Sequence, residues 1–205
     1  MRKKIVIRYG ALMLVVYACW IGLYFLTAWI GTIRGPAFDA ALPIDASIPF
    51  WPELMPVYML AYVVTLGLFF ISLEPSFLNR AYATFIATNA VAFLFFALFP
   101  VLGPPREGLL TGSGASSDGL LAVMHMLDSR YNALPSLHVA NPWLVALLCT
   151  HEKGNSGLTF FFWTLALAIS AATLFVRQHY LLDVLAGAVL AMLMFAVMKR
   201  KQPAI

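Results

Sequence analysis

The chain has 205 residues, of which 62% are hydrophobic and only 11% are charged, and its mean hydropathy is +0.86. These values lie far from the composition of a soluble domain and indicate a protein embedded in a membrane. The formal net charge is +4. In a membrane protein such an excess orients the chain and attracts anionic lipid, so it gives no reason to expect nucleic-acid binding.

Six apolar stretches are each long enough to cross a bilayer, which takes roughly 20 residues. In chain order they cover residues 9–33, 54–73, 81–105, 131–151, 154–176 and 178–198. Only the last contains an Asp, Glu, Lys or Arg residue, Asp183. We therefore predict an all-α, polytopic membrane protein with six transmembrane helices. The helices use most of residues 1–205, which predicts a single transmembrane helical domain.

The basic residues are distributed unevenly between the two sides of these helices. With both termini in the cytoplasm, nine of the 13 Lys and Arg residues lie on the inner side, and the other four are Arg34, Arg106, Arg130 and Arg177. This division follows the positive-inside rule and predicts cytoplasmic termini. The outer loops are the longer ones, and we expect short interfacial helices in them. Residues 48–52 predict a segment that lies in the interface beside the bundle, and residues 120–127 predict a short amphipathic helix that rests on the surface.

Two short polar segments lie at the outer ends of predicted helices. One is Pro135-Ser136-Leu137-His138, and the other runs from Arg177 to Asp183. Ionisable groups near lipid are costly, so their presence indicates a functional site. The amino ends of helices attract anions. Together with Arg106, which follows the third helix on the same side, these two ends predict a phosphate-binding pocket.

His179 and Asp183 are four residues apart, which places both side chains on one face of a helix. A carboxylate beside one imidazole nitrogen fixes the tautomer and leaves the other nitrogen as a nucleophile or base. His138 supplies a second imidazole that can protonate a leaving oxygen. The three residues predict a two-histidine site for phosphoryl transfer.

The order and spacing of these segments resemble the type 2 phosphatidic acid phosphatase superfamily of membrane lipid phosphatases and head-group transferases. Residues 135–140 are similar to the second motif of that family, and residues 179–187 are similar to the end of its third motif. Residues 99–106 resemble the corresponding outer loop of the branch that contains inositol phosphorylceramide synthases. The resemblance thus places the chain closest to the inositol phosphorylceramide synthase-like branch.

The resemblance implies a covalent mechanism. His179 would attack phosphorus and carry a transient phosphohistidine, Asp183 would orient it, and His138 would protonate the leaving oxygen. No cofactor or metal is implied, because arginines and helix ends would stabilise the charge of the phosphoryl group.

The resemblance also implies which residues hold the phosphate. Arg106 and Ser136 would bind the phosphoryl oxygens, and Arg177 is a further candidate. The family's lysine, seven residues before its first-motif arginine, is absent, because that position is Phe99. The family's third-motif arginine is replaced by Thr173. Fewer cations favour a less charged phosphate, such as a phosphodiester.

The leading prediction is an enzyme that hydrolyses a lipid phosphate or diphosphate at the outer membrane face, with the phosphorylated lipid and the surrounding membrane lipids as its partners. The alternative is a head-group phosphotransferase that uses the same site and delivers the group to a lipid or sugar hydroxyl acceptor. Two other classes stay open: an intramembrane protease with a Ser136–His179 dyad, and a non-catalytic membrane scaffold or transporter.

The setting predicted for this chain is a bacterial inner membrane, with the active site facing the periplasm or the cell exterior. The chain is short and compact, and its outer loops carry no acceptor motif for N-glycosylation. Both features favour a bacterial membrane protein over one of the secretory pathway.

Overall fold

The computed structural model describes residues 2–106, 109, 116–152 and 156–200. The α-helices are α1 (Arg2–Arg34), α2 (Met55–Met59), α3 (Leu68–Ile71), α4 (Pro75–Leu98), α5 (Ser116–Leu127), α6 (Leu137–His151), α7 (Ser156–Phe175) and α8 (Leu181–Arg200). Short 3-10 helices cover Pro43–Ser47, Pro52–Leu54, Leu60–Tyr62 and Val64–Gly67. Within these ranges there is no strand, only isolated bridges from Val101 to Phe38 and Asn132. The all-α prediction is confirmed.

Four helices, α1, α4, α7 and α8, are long and apolar enough to cross a membrane. A fifth candidate span is formed by residues 52–62 and 64–71, two helical halves that meet at an angle of 51°. Helix α6 has 15 residues, which gives a length of about 22 Å, less than the roughly 30 Å of a hydrocarbon core. The described residues thus support four or five spans, and six spans with cytoplasmic termini remain a prediction.

The second predicted span is broken rather than continuous. It is a succession of short α and 3-10 turns, with Pro56 in the first turn of α2. Near the bend, the Tyr17 hydroxyl donates to the Tyr62 carbonyl oxygen at 3.0 Å. This bond satisfies a backbone acceptor at a point where the hydrogen bonds of the helix are interrupted. A helix that is broken within a membrane needs such a partner, because lipid cannot supply one.

The third predicted span, residues 81–105, has different bounds in the structure. Helix α4 begins at Pro75, because proline is well suited to the first position of a helix. It ends at Leu98, because the proline at position 100 cannot continue it and disfavours helical backbone in the residue before it. Arg106 therefore lies at the end of an extended segment, eight residues beyond the helix.

Helix α6 lies at the centre of the bundle, where it contacts α4, α7 and α8. Its contact with α8 depends on Gly187. A Cβ atom added there would lie 3.2 Å from the Val139 Cβ and would overlap the Ser136 carbonyl oxygen. The absence of a side chain at Gly187 therefore permits close contact between the two helices. The contact brings the amino-terminal ends of α6 and α8 together.

Helix α5 forms part of the outer layer. Its Leu121 and Met124 side chains are buried in a cluster with Met55 and Tyr58. The short helix predicted at residues 120–127 is present, and its apolar face packs against the bundle while Val123 and Met126 on its other face are exposed. The chain leaves α5 at Leu127, so the next residue, Asp128, is directed into the interior, where it is 9% exposed.

Candidate active site

A small cavity of about 20 Å³ lies at the amino-terminal ends of α6 and α8. Its wall includes both predicted histidines, His138 and His179, together with Arg106, Asp128 and Gln178. The two histidines are 9% and 7% exposed. Titratable groups are thus concentrated in one nearly closed space, as in many catalytic sites.

His179 is held beside Asp183 by the start of α8. The distance from His179 Nδ1 to Asp183 Oδ2 is 3.4 Å, and Asp183 is fully buried. His179 lies two residues before α8 rather than on the helix, as we had expected. Asp183, the third residue of α8, reaches back and accepts the Tyr180 N–H at 2.8 Å. This capping bond fixes the carboxylate beside the imidazole.

His138, the second residue of α6, faces His179. The distance from His138 Nδ1 to His179 Nε2 is 3.2 Å, and the ring centroids are 5.5 Å apart. The predicted catalytic residues therefore lie in a row, with His179 between Asp183 and His138. Such a row orients Nε2 of His179, the nitrogen remote from the carboxylate, towards the second imidazole.

Ser136 is the residue that precedes α6, and it is fully buried. Its N–H donates to the Asp183 carbonyl oxygen at 3.0 Å, while its Oγ has no hydrogen-bond partner among the described residues. A buried hydroxyl without a partner, at the start of a helix, has unused capacity to bind a phosphoryl oxygen, although Ser136 does not itself line the cavity. The absence of a bond to either histidine disfavours the serine protease hypothesis.

Arg106 reaches the same cavity in a fixed orientation. Its Nη1 donates to the carbonyl oxygens of His125 at 3.0 Å and Asp128 at 2.8 Å, and its Nη2 donates to Gln178 Oε1 at 3.2 Å. Burial lowers the pKa of Arg106 from its ordinary value, and the nearby Asp128 carboxylate acts in the opposite direction. A guanidinium oriented by three bonds is a suitable ligand for a phosphoryl group.

Arg177 is not brought into this cavity. Its backbone has a φ of 51°, and its guanidinium carbon lies 5.9 Å from the centroid of the Phe50 ring. The side chain instead lines a groove of about 370 Å³ whose wall also includes Asp45, Tyr180 and His179. The two predicted arginines therefore lie on different sides of His179.

Only one of the two predicted anion-binding helix ends is open. At the start of α8, the Leu181 N–H donates to Asp45 Oδ1 at 2.8 Å and the Tyr180 N–H donates to Asp183. These carboxylates already complement the positive end of the helix, so the prediction for α8 is wrong. Of the two helix ends, the first turn of α6, next to Ser136, is therefore the one that can still accept an anion.

The two positions at which the chain lacks the family's cations have other roles. Phe99 is 48% exposed and its ring lies 5.2 Å from that of Phe95. Thr173 is fully buried, and its carbonyl oxygen accepts the N–H groups of Gln178 and His179 at 3.1 and 3.3 Å. Thr173 thus holds the backbone of His179 rather than the phosphate.

The sequence analysis missed a cluster of four residues next to His138. The Asp128 carboxylate accepts hydrogen bonds from the hydroxyl groups of Tyr62 at 2.8 Å, Tyr24 at 3.2 Å and Tyr58. Its Oδ2 lies 3.9 Å from His138 Nε2. The one signal in the sequence was an acidic residue shortly before the Pro-Ser motif. The tyrosines gave no signal, because they lie far away in the chain.

Metal-binding groups are not assembled here. In the parts of the chain that the structure describes, no group of three or more His, Cys, Asp or Glu side chains could hold a metal ion. The positive charge at the site comes from Arg106 and from the start of α6.

A sequence model described as PAP2 superfamily matches residues 54–197, well over half of the chain, including every predicted site residue. No curated protein and no solved structure shows significant similarity to the chain. From the family match, the chain belongs to the type 2 phosphatidic acid phosphatase (PAP2) superfamily.

Proposed function

We propose that the protein is a lipid phosphatase that works through a phosphohistidine on His179, at the outer face of a bacterial inner membrane. One observation carries the proposal. The His179 ring lies between a carboxylate, 3.4 Å from its Nδ1, and the His138 imidazole, 3.2 Å from its Nε2. A nucleophile oriented from one side and faced by an acid on the other is what phosphoryl transfer to histidine requires.

The first chemical step forms the covalent intermediate. His179 Nε2 attacks phosphorus while the bond from phosphorus to the leaving oxygen breaks. His138 donates its Nδ1 proton to that oxygen, and the lipid alcohol or lipid monophosphate departs. Arg106 and Ser136 bind the non-bridging oxygens, where charge develops. For this step the substrate must enter between the two imidazoles, which therefore separate when it binds.

The second step releases phosphate. Water attacks the phosphohistidine, His138 Nδ1 accepts a proton from the water, and the bond between phosphorus and nitrogen breaks. The His179 Nδ1–H remains directed at Asp183 in both steps, so the same tautomer is ready for the next cycle. Net hydrolysis consumes one water and returns both histidines to their starting state.

A phosphotransferase is the second candidate, and the groove beside His179 favours it. The groove has a volume of about 370 Å³, and its wall carries apolar side chains together with Arg177 and Tyr180. A lipid or sugar hydroxyl placed there would compete with water for the phosphohistidine. The absence of the family's lysine at Phe99 also suits a less charged phosphodiester substrate.

The test uses the purified full chain in detergent and in lipid vesicles. We would offer phosphatidic acid, phosphatidylglycerol phosphate, a polyprenyl diphosphate and a phosphoinositide, each with and without diacylglycerol or ceramide. Released phosphate and lipid products are measured together, the latter by mass spectrometry. His179→Ala is the matched inactive control.

The outcomes separate the candidates. Phosphate that is released by the wild type and not by His179→Ala supports the phosphatase and identifies its lipid. A new phosphodiester lipid without free phosphate supports the transferase instead. Silence with every lipid, in a folded protein, would overturn both and would favour a non-catalytic membrane protein.

A further inference from the structure

A buried carboxylate outside the predicted catalytic set is surrounded by tyrosine hydroxyls. Asp128 is 9% exposed. Its Oδ1 accepts from Tyr62 at 2.8 Å and from Tyr24 at 3.2 Å, and its Oδ2 accepts from Tyr58. An ionised carboxylate is a pure acceptor and can take all three donors. The cluster therefore places a negative charge within the protein, next to the cavity.

This charge is directed at His138. Asp128 Oδ2 lies 3.9 Å from His138 Nε2. On the other side of the ring, the Tyr58 oxygen lies 3.3 Å from His138 Nδ1. Because the Tyr58 proton is already donated to Asp128, the Tyr58 oxygen can only accept at Nδ1. Asp128 thus contacts one ring nitrogen directly and acts on the other through Tyr58.

The contacts of His138 suit the protonated form that an acid of the reaction takes. If His179 donates its Nδ1–H towards Asp183, its Nε2 is an acceptor, and His138 Nδ1 must carry the proton that lies between the rings. The Tyr58 oxygen requires a proton at the same Nδ1. A carboxylate beside Nε2 favours a proton there too. An imidazole protonated on both nitrogens is the form that can give a proton to a leaving group.

We propose that Asp128 is a positioning residue that orients His138 and stabilises the positive charge it carries as the acid of the reaction. This inference rests on the proposed phosphohistidine mechanism. When Nδ1 gives its proton to the leaving oxygen, His138 becomes neutral and keeps Nε2–H directed at Asp128. When Nδ1 takes a proton from the attacking water, the charge next to Asp128 is restored. Asp128 itself neither gives nor takes a proton in either step.

A positioning role for Asp128 can be distinguished from a structural one by how the effect of a substitution on activity depends on the leaving group of the substrate. An alkoxide is a poor leaving group and needs the acid, whereas 4-nitrophenolate leaves without a proton. We would therefore measure kcat/KM, which reports the first irreversible step, for decyl phosphate and for 4-nitrophenyl phosphate. A substitution that only loosens the site lowers both values alike.

Asp128→Asn is expected to lower kcat/KM for decyl phosphate about 10- to 100-fold and to change that for 4-nitrophenyl phosphate less than about 3-fold. In the double variant with His138→Ala, Asp128→Asn should lower kcat/KM for decyl phosphate little further, since the acid is already absent. Ser170→Ala is the control for loss of a buried polar group. Its hydroxyl accepts from Trp143 at 3.0 Å, away from the cavity, so both substrates should be unaffected.

A second pair of variants keeps the test decisive if Asp128→Asn does not fold. Tyr58→Phe removes the hydroxyl that contacts both Asp128 and His138, whereas Tyr62→Phe removes one that contacts Asp128 and has no hydrogen bond to His138. Both keep their rings. The ratio of kcat/KM for decyl phosphate to kcat/KM for 4-nitrophenyl phosphate should fall more in Tyr58→Phe than in Tyr62→Phe.

Two results would overturn the inference, and they are distinguishable. If the wild type is active and Asp128→Asn lowers both substrates equally, or if the two tyrosine variants have equal ratios, Asp128 has only a structural role and the proposed function stands. If the folded wild type cleaves neither these substrates nor the phosphorylated lipids, the phosphohistidine mechanism fails and the role of Asp128 fails with it.

Discussion

The two halves of the site are built in different ways. His179 and Asp183 belong to one turn of the chain, and a capping bond to Tyr180 links them. His138 and Asp128 are joined instead through the hydroxyl of Tyr58, a residue of the distant helix α2, and Asp128 is also held by the Tyr24 hydroxyl of α1. The local half can be read from the spacing of its residues, whereas the distributed half appears only when the bundle is assembled.

This difference also predicts a division of chemical roles. The local half supplies a nucleophile whose orientation is fixed by backbone close to it. The distributed half supplies an acid whose surroundings depend on α1, α5 and the broken segment of residues 52–71. Variants that distinguish the nucleophile from the acid therefore test whether the division exists.

The largest expected effect is the loss of the nucleophile. His179→Ala should lower turnover of a lipid phosphate at least about 1,000-fold and leave no phosphoenzyme.

His138→Ala should lower turnover of a lipid phosphate about 100- to 10,000-fold. With 4-nitrophenyl phosphate, however, His138→Ala should accumulate phosphoenzyme, because formation needs no acid while hydrolysis still needs the base. An alkaline quench, which preserves phosphohistidine, followed by intact-protein mass spectrometry measures the intermediate.

His151→Ala is the matched control for these two variants. His151 lies at the opposite end of α6, where its ring is 5.7 Å from that of Phe195, and its substitution should not change turnover. Phosphoenzyme in His179→Ala would assign the nucleophile to another residue. Its absence in His138→Ala with the aryl substrate would contradict the acid and base roles of His138.

The sequence predicted the helical class of the fold and the members of the local half. The pair His179 and Asp183 could be found because four residues of spacing bring side chains together whether they lie on a helix or at its start. Composition indicated a membrane protein because spanning helices need long apolar runs. These inferences use only local information, which a single sequence contains.

Other features depended on distant contacts and were missed. The break in the second predicted span follows from packing and from the Tyr17 hydroxyl, neither of which alters the apolar run. The partners of Asp128 lie 66 to 104 residues away in the chain. Arg177 was predicted to bind phosphate from its closeness to His179, but its backbone at a φ of 51° directs the side chain to Phe50.

The two arginines provide the next comparison. Arg106→Ala should lower kcat/KM for a lipid phosphate about 10- to 100-fold, the effect of losing a charged hydrogen bond to phosphate. Arg177→Ala should lower it less than about 5-fold, because its side chain lines the groove and not the cavity. Both values are measured with the same lipid in the same detergent.

A larger effect for Arg177→Ala than for Arg106→Ala would contradict the assignment of the cavity as the phosphate site. If Arg177→Ala reduces transfer to an added hydroxyl acceptor while hydrolysis is unchanged, the groove is the acceptor site. That result would shift the proposed function towards the transferase.

The contact between the two halves can be tested at Gly187. An added methyl group would meet Val139 and the Ser136 carbonyl, so Gly187→Ala should lower the free energy of unfolding by about 1–3 kcal/mol. By displacing His179 from His138, the substitution should also lower turnover roughly 10-fold.

Gly10→Ala is the control, because a Cβ there meets nothing within 4 Å and alanine favours the helix. Thermal unfolding in detergent and lipid phosphatase assays measure both effects. Equal stability and turnover in the two variants would show that α8 has room to move.

The smallest effect is expected where the chain differs most plainly from its family. Phe99→Lys restores the lysine of the family's first motif, yet kcat/KM should change less than about 3-fold. Phe99 is half exposed, packs on Phe95 and takes no part in the cavity wall, so an ammonium group at this position would extend into solvent rather than towards phosphate. Activity assays with a lipid monophosphate and a phosphodiester compare the two charge states of the substrate. A 10-fold gain for the monophosphate alone would mean that this loop moves towards His179 when substrate binds. The set of cations that contact the phosphate would then be complete only when substrate is bound. Residues at the end of α4 would belong to the same half of the site as Asp128 and His138.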